Sequence, residues 1–151
     1  MLDGVIILHI VFNCFVVFSR EVGVLSPTLF FVYVDCVIQT LQESKLGCWL
    51  GDVCVGCIFY ADDVVLISAG VCELQKLVDL CIIEFTSIDM LVNAKEYHVI
   101  RSGCRYLSPC IQVSVQNNLA DYAEKAKYLG VMLRAYKLFS VDIHFMKTKF
   151  L

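Results

Sequence analysis

The sequence predicts an α+β domain, a sheet with helices on one face. Three observations point there. Apolar residues recur with helical period over two long stretches. Short β-branched runs lie between and after those stretches. Proline, glycine and asparagine fall at the joints. The chain has 151 residues, enough for one domain with a real core. No repeat, low-complexity tract or linker divides it.

The first helix opens at Ser26-Pro27, a capping residue followed by proline at the first helical position. Phe30, Tyr33, Val34, Val37, Ile38 and Leu41 then form one apolar stripe, and Gly47 is the expected stop. Residues 53–59 and 64–68 read as strands. Gly70 opens a second helix, along which Leu74, Leu77, Val78, Cys81, Ile82, Phe85 and Ile88 keep helical period. Ile111, Val113 and Val115 alternate as a strand does. Asn117-Asn118 is a turn signal, and Tyr128 to Leu133 is a further apolar strand.

The composition is apolar for such a domain, 59% hydrophobic with mean hydropathy +0.74. The run from Gly4 to Phe18, GVIILHIVFNCFVVF, is shorter than the roughly 18 to 20 apolar residues that span a bilayer, and it contains His9 and Asn13. A buried strand or helix is expected there, with a membrane anchor through residues 4–18 as the alternative. The start Met1-Leu2-Asp3 lacks the basic flank of a signal peptide, so an intracellular location, cytoplasm or nucleus, is expected.

Net charge is −3, unevenly spread. Residues 1–120 hold 12 acidic and 6 basic side chains, residues 121–151 hold 3 and 6. Only the C-terminal part leans toward the basic face that nucleic-acid binders show. The nine cysteines come without a secretion signal, which points to a reducing compartment and small apolar core roles for most of them. Cys54-Val55-Gly56-Cys57 has the spacing of a zinc half-site, but no second pair follows. On one extended strand an offset of three also turns the two thiols to opposite faces.

The stretch FYADDVVLIS, residues 59–68, sets two carboxylates between two apolar strands. Aspartate is at home in a hairpin turn, so a solvated tip explains Asp62 or Asp63 singly. It explains Tyr60 less well. Paired carboxylates also suit Mg²⁺, a hard ion that takes oxygen ligands and leaves waters for phosphates to replace. Two such ions drive phosphoryl and nucleotidyl transfer. A complete two-ion site needs a third acid, expected from a neighbouring strand.

Tyr60-Ala61-Asp62-Asp63 resembles the Y-x-D-D signature of reverse transcriptases. Three further segments resemble that family's non-LTR (LINE-type) retrotransposon branch, in the same order. They are GVLSPTLF at residues 23–30, Leu91-Val92-Asn93-Ala94-Lys95, and Lys127-Tyr128-Leu129-Gly130-Val131. The resemblance covers residues 12–134 as a palm, with residues 135–151 as the start of the segment after it. It implies an antiparallel sheet backed by helices, an incomplete polymerase lacking fingers and thumb, and RNA-directed DNA polymerase ancestry. By the same resemblance Asp62 and Asp63 are the catalytic carboxylates and Mg²⁺ ligands. Tyr60, Ser26 and Pro27 position template, primer end and incoming nucleotide. Lys127, Tyr128, Leu129 and Gly130 shape the primer grip. The implied partners are RNA template, DNA primer and dNTP, or none for a fragment alone.

The departures carry an expectation too. Upstream of Gly23 the only acids are Asp3 and Glu21, neither in a motif that supplies the third carboxylate. Glu21 and Val22 stand where the family has glutamine and glycine, Phe31 where it has asparagine, and Glu96-Tyr97 where it has lysine then serine or threonine. Valine lacks glycine's backbone freedom, and a carboxylate beside a polyanion is repelled. The expected outcome is a palm without polymerase activity. A non-catalytic palm-derived module that binds protein or RNA is the alternative.

Overall fold

The structure, a computed structural model, describes residues 5–13, 26–60, 63–137 and 140–141. Asp62, the Arg20–Gly23 loop and the segment from residue 142 onward lie outside the described residues. The chain forms a mixed α+β domain whose main sheet is antiparallel. Its strand order is β4-β5-β1-β6, where β1 is Val5–Asn13, β4 Cys57–Tyr60, β5 Asp63–Ser68 and β6 Leu91–Ser102.

Two helices follow their apolar stripes. Helix α1 spans Ser26–Glu43 and α2 spans Val71–Ser87. Val34, Val37 and Leu41 of α1 meet Leu74, Leu77, Val78, Cys81 and Phe85 of α2 in one buried cluster. Val64 and Leu66 of β5 and Val99 of β6 complete it from the sheet. Alternate strand residues thus face the helices, as a period of two requires. The opposite face of β6 meets a second, smaller cluster of Ile100, Ala126 and Leu133. The last two come from β9 (Lys125–Tyr128) and β10 (Val131–Arg134), which form a three-stranded sheet with β11 (Ser140–Val141).

The joints are set by local chemistry. Helix α1 starts at Ser26, where the Ser-Pro pair predicts. It ends before the expected stop: Lys45 already has φ 57, and Gly47, at φ 85, lies in the turn beyond. Gly70 caps α2 with its carbonyl accepting from Leu74 N at 2.9 Å. The Glu73 carboxylate in that first turn accepts from Ser68 Oγ at 2.7 Å and from Gly47 N at 3.3 Å. One acid therefore ties the α2 start, the end of β5 and the loop after α1 together. On the same helix, Gln75 Nε2 donates to Ser114 O at 2.9 Å while its Oε1 accepts from Ser114 N at 2.7 Å. This holds β7 (Val113–Val115), paired with β8 (Asn118–Ala120), against α2.

Three expectations change. The stretch 53–59 is not one strand. It breaks into β3 (Val53–Cys54), paired with β2 (Trp49–Leu50), and β4, with Gly56 at the break. Tyr128 to Leu133 is not one strand either. It turns at Leu129 (φ 46) and Gly130 (φ 81), closing a hairpin with Tyr128 opposite Val131. Two successive positive φ values suit the right-handed twist of paired strands, and glycine supplies the second at no steric cost. Of the cysteines described, only Cys81 is fully buried, whereas Cys36, Cys72 and Cys104 are exposed. The apolar run at residues 4–18 resolves, in its described part, as β1, a strand paired on both sides. Among the described residues no helix is long and apolar enough to cross a membrane.

Candidate functional site

The paired strands β4 and β5 bring Tyr60 and Asp63 together at one end. Phe59 pairs with Val64 and Tyr60 with Asp63, the last pair of the register; residues 61 and 62 lie outside the described residues. The arms are β-branched and aromatic, which holds the tip in register. Phe59 anchors the outer arm, its ring 6.0 Å from that of Phe85 on α2. Tyr60 is exposed and Asp63 half-buried.

Strand β1 lies beside β5, with Val11 directly opposite Asp63 and Ile10 opposite Val64. This is the neighbouring strand from which a third acid would come, and the position facing Asp63 is a valine.

The other half of the site comes from β9. Burial pushes the Tyr128 phenol above its ordinary range, and the Asp63 carboxylate and Tyr60 add to that shift. Both effects disfavour a negative phenolate in the same place. Tyr128 is thus near enough to feel the charge of Tyr60 and Asp63, from which it is far apart in sequence. Leu129 and Gly130 make the exposed turn that follows, and Lys127 is exposed. Lys125 and Lys127 alternate with buried Ala126, and Arg134 pairs with Lys125, so these three cations share the outer face of the β9–β10 hairpin. Three of the six basic residues after residue 121 stand there. Ser26 and Pro27 open α1; their side chains are not described.

A divalent ion needs converging oxygens. Asp63 is one such donor, and Asp62 lies outside the described residues. Among the described residues no group of three or more His, Cys, Asp or Glu is arranged to hold a metal ion. The described donors, with Val11 opposite Asp63, do not fit a two-ion centre.

Two features of the site had no signal in apolar periodicity. The adjacency of β1 to the tip is a long-range register, and the approach of Tyr128 to Asp63 depends on how β9 packs across β6. A third concerns the cysteines. Cys54 and Cys57 do not point to opposite faces: their Sγ atoms are 3.9 Å apart. The two-faces rule holds within one strand, and the break at Gly56 puts these residues on different strands.

No protein-family model matches this chain, and no curated protein matches it.

Proposed function

We propose that this chain is the palm region of a reverse transcriptase of non-LTR retrotransposon descent, and that as it stands it does not polymerise. One observation carries the reading. Tyr60 and Asp63 pair at the end of two antiparallel strands, and Tyr128 of the Lys127–Gly130 stretch is near enough to feel the charge of both. A Y-x-D-D tip next to the K-Y-L-G stretch is the juxtaposition the resemblance implies. RNA template, DNA primer and dNTP are the partners of this reading, and Mg²⁺ is its ancestral metal.

The inactivity follows from the donor count. Metal ions in such sites stabilise several kcal/mol of developing transition-state charge. Each 1.36 kcal/mol lost costs about tenfold in rate, so a site short of one carboxylate runs slower by several orders of magnitude. The test is primer extension: dTTP incorporation on poly(rA) primed with oligo(dT), in Mg²⁺. No incorporation is expected. Robust incorporation that Asp62→Ala or Asp63→Ala removes would overturn the inactivity.

A second reading, an RNA-binding module without catalysis, draws on the cations at Lys125, Lys127 and Arg134. Filter retention of the labelled template in the same mixture separates the two readings. Retention that falls steeply with salt favours the module, because phosphate contacts release counterions.

A further inference from the structure

Cys54 ends β3 and Cys57 begins β4, and the chain turns between them through Val55 and Gly56. The turn is held from both sides. Val55 N donates to Cys48 O at 2.9 Å, and Ile67 N donates to Gly56 O at 2.8 Å. These bonds fix the two thiols on facing ends of separate strands, with Sγ atoms 3.9 Å apart and both residues half-buried. A disulfide has its sulfurs about 2.05 Å apart, so closing the gap needs a shift of about 2 Å.

We infer that Cys54 and Cys57 form a reversible dithiol–disulfide couple that exchanges with a low-molecular-weight disulfide such as oxidised glutathione. The inference is independent of the polymerase reading. In the first step the Cys54 thiolate attacks one sulfur of glutathione disulfide. An S–S bond forms at Cys54, the glutathione S–S bond breaks, and one glutathione thiolate leaves. In the second step Cys57 loses its proton to solvent and attacks Cys54 Sγ, expelling the second glutathione. The protein dithiol is oxidised by two electrons, and one glutathione disulfide is reduced to two thiols.

The order of attack has a physical basis. Burial, and then the neighbouring Cys54, push the Cys57 thiol up to about 12, so it stays protonated at neutral pH and makes a poor first nucleophile. Capping Cys54 as a mixed disulfide removes the second of those causes at the moment Cys57 must react. Two other thiols lie close. Cys48 is near enough to Cys54 to feel its charge, and Cys81 likewise to Cys57. Cys81 is fully buried, out of reach of a bulky oxidant. The new bond would tie the β2–β3 ribbon to β4, the outer arm of the Tyr60–Asp63 hairpin.

The test uses the full chain, equilibrated in mixtures of reduced and oxidised glutathione, quenched in acid, unfolded and alkylated. Trypsin releases residues 46–76, which hold Cys48, Cys54, Cys57 and Cys72. In the oxidised sample, sequencing of this peptide should find alkylation on Cys48 and Cys72 and its loss on Cys54 and Cys57. The peptide mass should fall by two hydrogens relative to a doubly alkylated product, and dithiothreitol should restore full alkylation. With Cys57→Ser the glutathione adduct should stay on Cys54, whereas with Cys54→Ser the Cys57 thiol should remain free. Full alkylation of all four cysteines in oxidised buffer, or a Cys48–Cys54 bond, would overturn the couple. Equally fast adduct formation at Cys57 in the Cys54→Ser chain would overturn the stated order.

Discussion

Phe85→Ala is expected to destabilise the domain by about 3–5 kcal/mol, the usual range for removing a buried aromatic ring. Phe85 is 1% exposed and the largest side chain in the main cluster. Its ring fills the space where α2 meets the hairpin arm, against Phe59 at 6.0 Å. Truncation leaves a void walled by the α2 stripe and by β4, neither of which can collapse freely. The α2 backbone continues in place, since Ile88 N and Met90 N donate to Phe85 O whatever the side chain. The loss is thus of packing alone. Domains of this size have roughly 5–15 kcal/mol to lose, and each kcal/mol shifts the melting temperature by about 2–4 °C, so the variant should melt about 6–20 °C below the parent. Urea titration followed by circular dichroism measures it. An unfolding free energy within about 0.5 kcal/mol of the parent chain's would mean that Phe85 does not sit in a packed core.

Gly56→Ala should cost about 1–3 kcal/mol, and it acts on the hairpin from the other side. A Cβ at position 56 would stand 2.8 Å from Cys48 N and 2.9 Å from Gly47 Cα. Both are backbone atoms and cannot swing aside as a side chain would. The segment after α1 must move away from β4, and two bonds stretch with it: Cys48 N to Ile67 O at 3.0 Å and Ile67 N to Gly56 O at 2.8 Å. Gly51 is the contrast, because a Cβ there meets nothing within 4 Å, although its φ of 60 makes alanine a strained choice. Thermal melts of both variants separate the causes. A Gly56→Ala chain as stable as the parent would show that the Gly47–Gly56 approach is not tight.

How much of this was legible in the sequence depends on the range of the interaction involved. Both helices could be read because their stripes are local: Val34, Val37 and Leu41, and Leu74 to Phe85, repeat within a few turns. The hairpin could be read because Asp62-Asp63 interrupts two β-branched runs over ten residues. The twelve-residue strand β6 carries Asn93, Lys95, Glu96, His98 and Arg101 among its apolar positions. Its identity as a strand comes from pairing with β1, some ninety residues earlier, and no local pattern encodes that. The β9–β10 turn was hidden by Leu129, an apolar residue at a positive φ that its own chemistry disfavours. At the site, Tyr60 and Asp63 could be placed from their spacing. The nearness of Tyr128 has no local signal, because it depends on packing across β6, and only the resemblance implies it.

The most direct test of the central claim is to supply the acid that β1 lacks. Val11 stands opposite Asp63 in register, and directly opposed residues of antiparallel strands lie within reach of a common ion. Val11→Asp should therefore bind Mn²⁺, read by electron paramagnetic resonance, at least about tenfold more tightly than the isosteric but uncharged Val11→Asn, because affinity follows carboxylate count. Adding Asp63→Asn should abolish that gain. Equal affinities for Val11→Asp and Val11→Asn, in chains with matching circular dichroism, would contradict the claim that the Tyr60–Asp63 hairpin is the remnant of a metal-binding cradle.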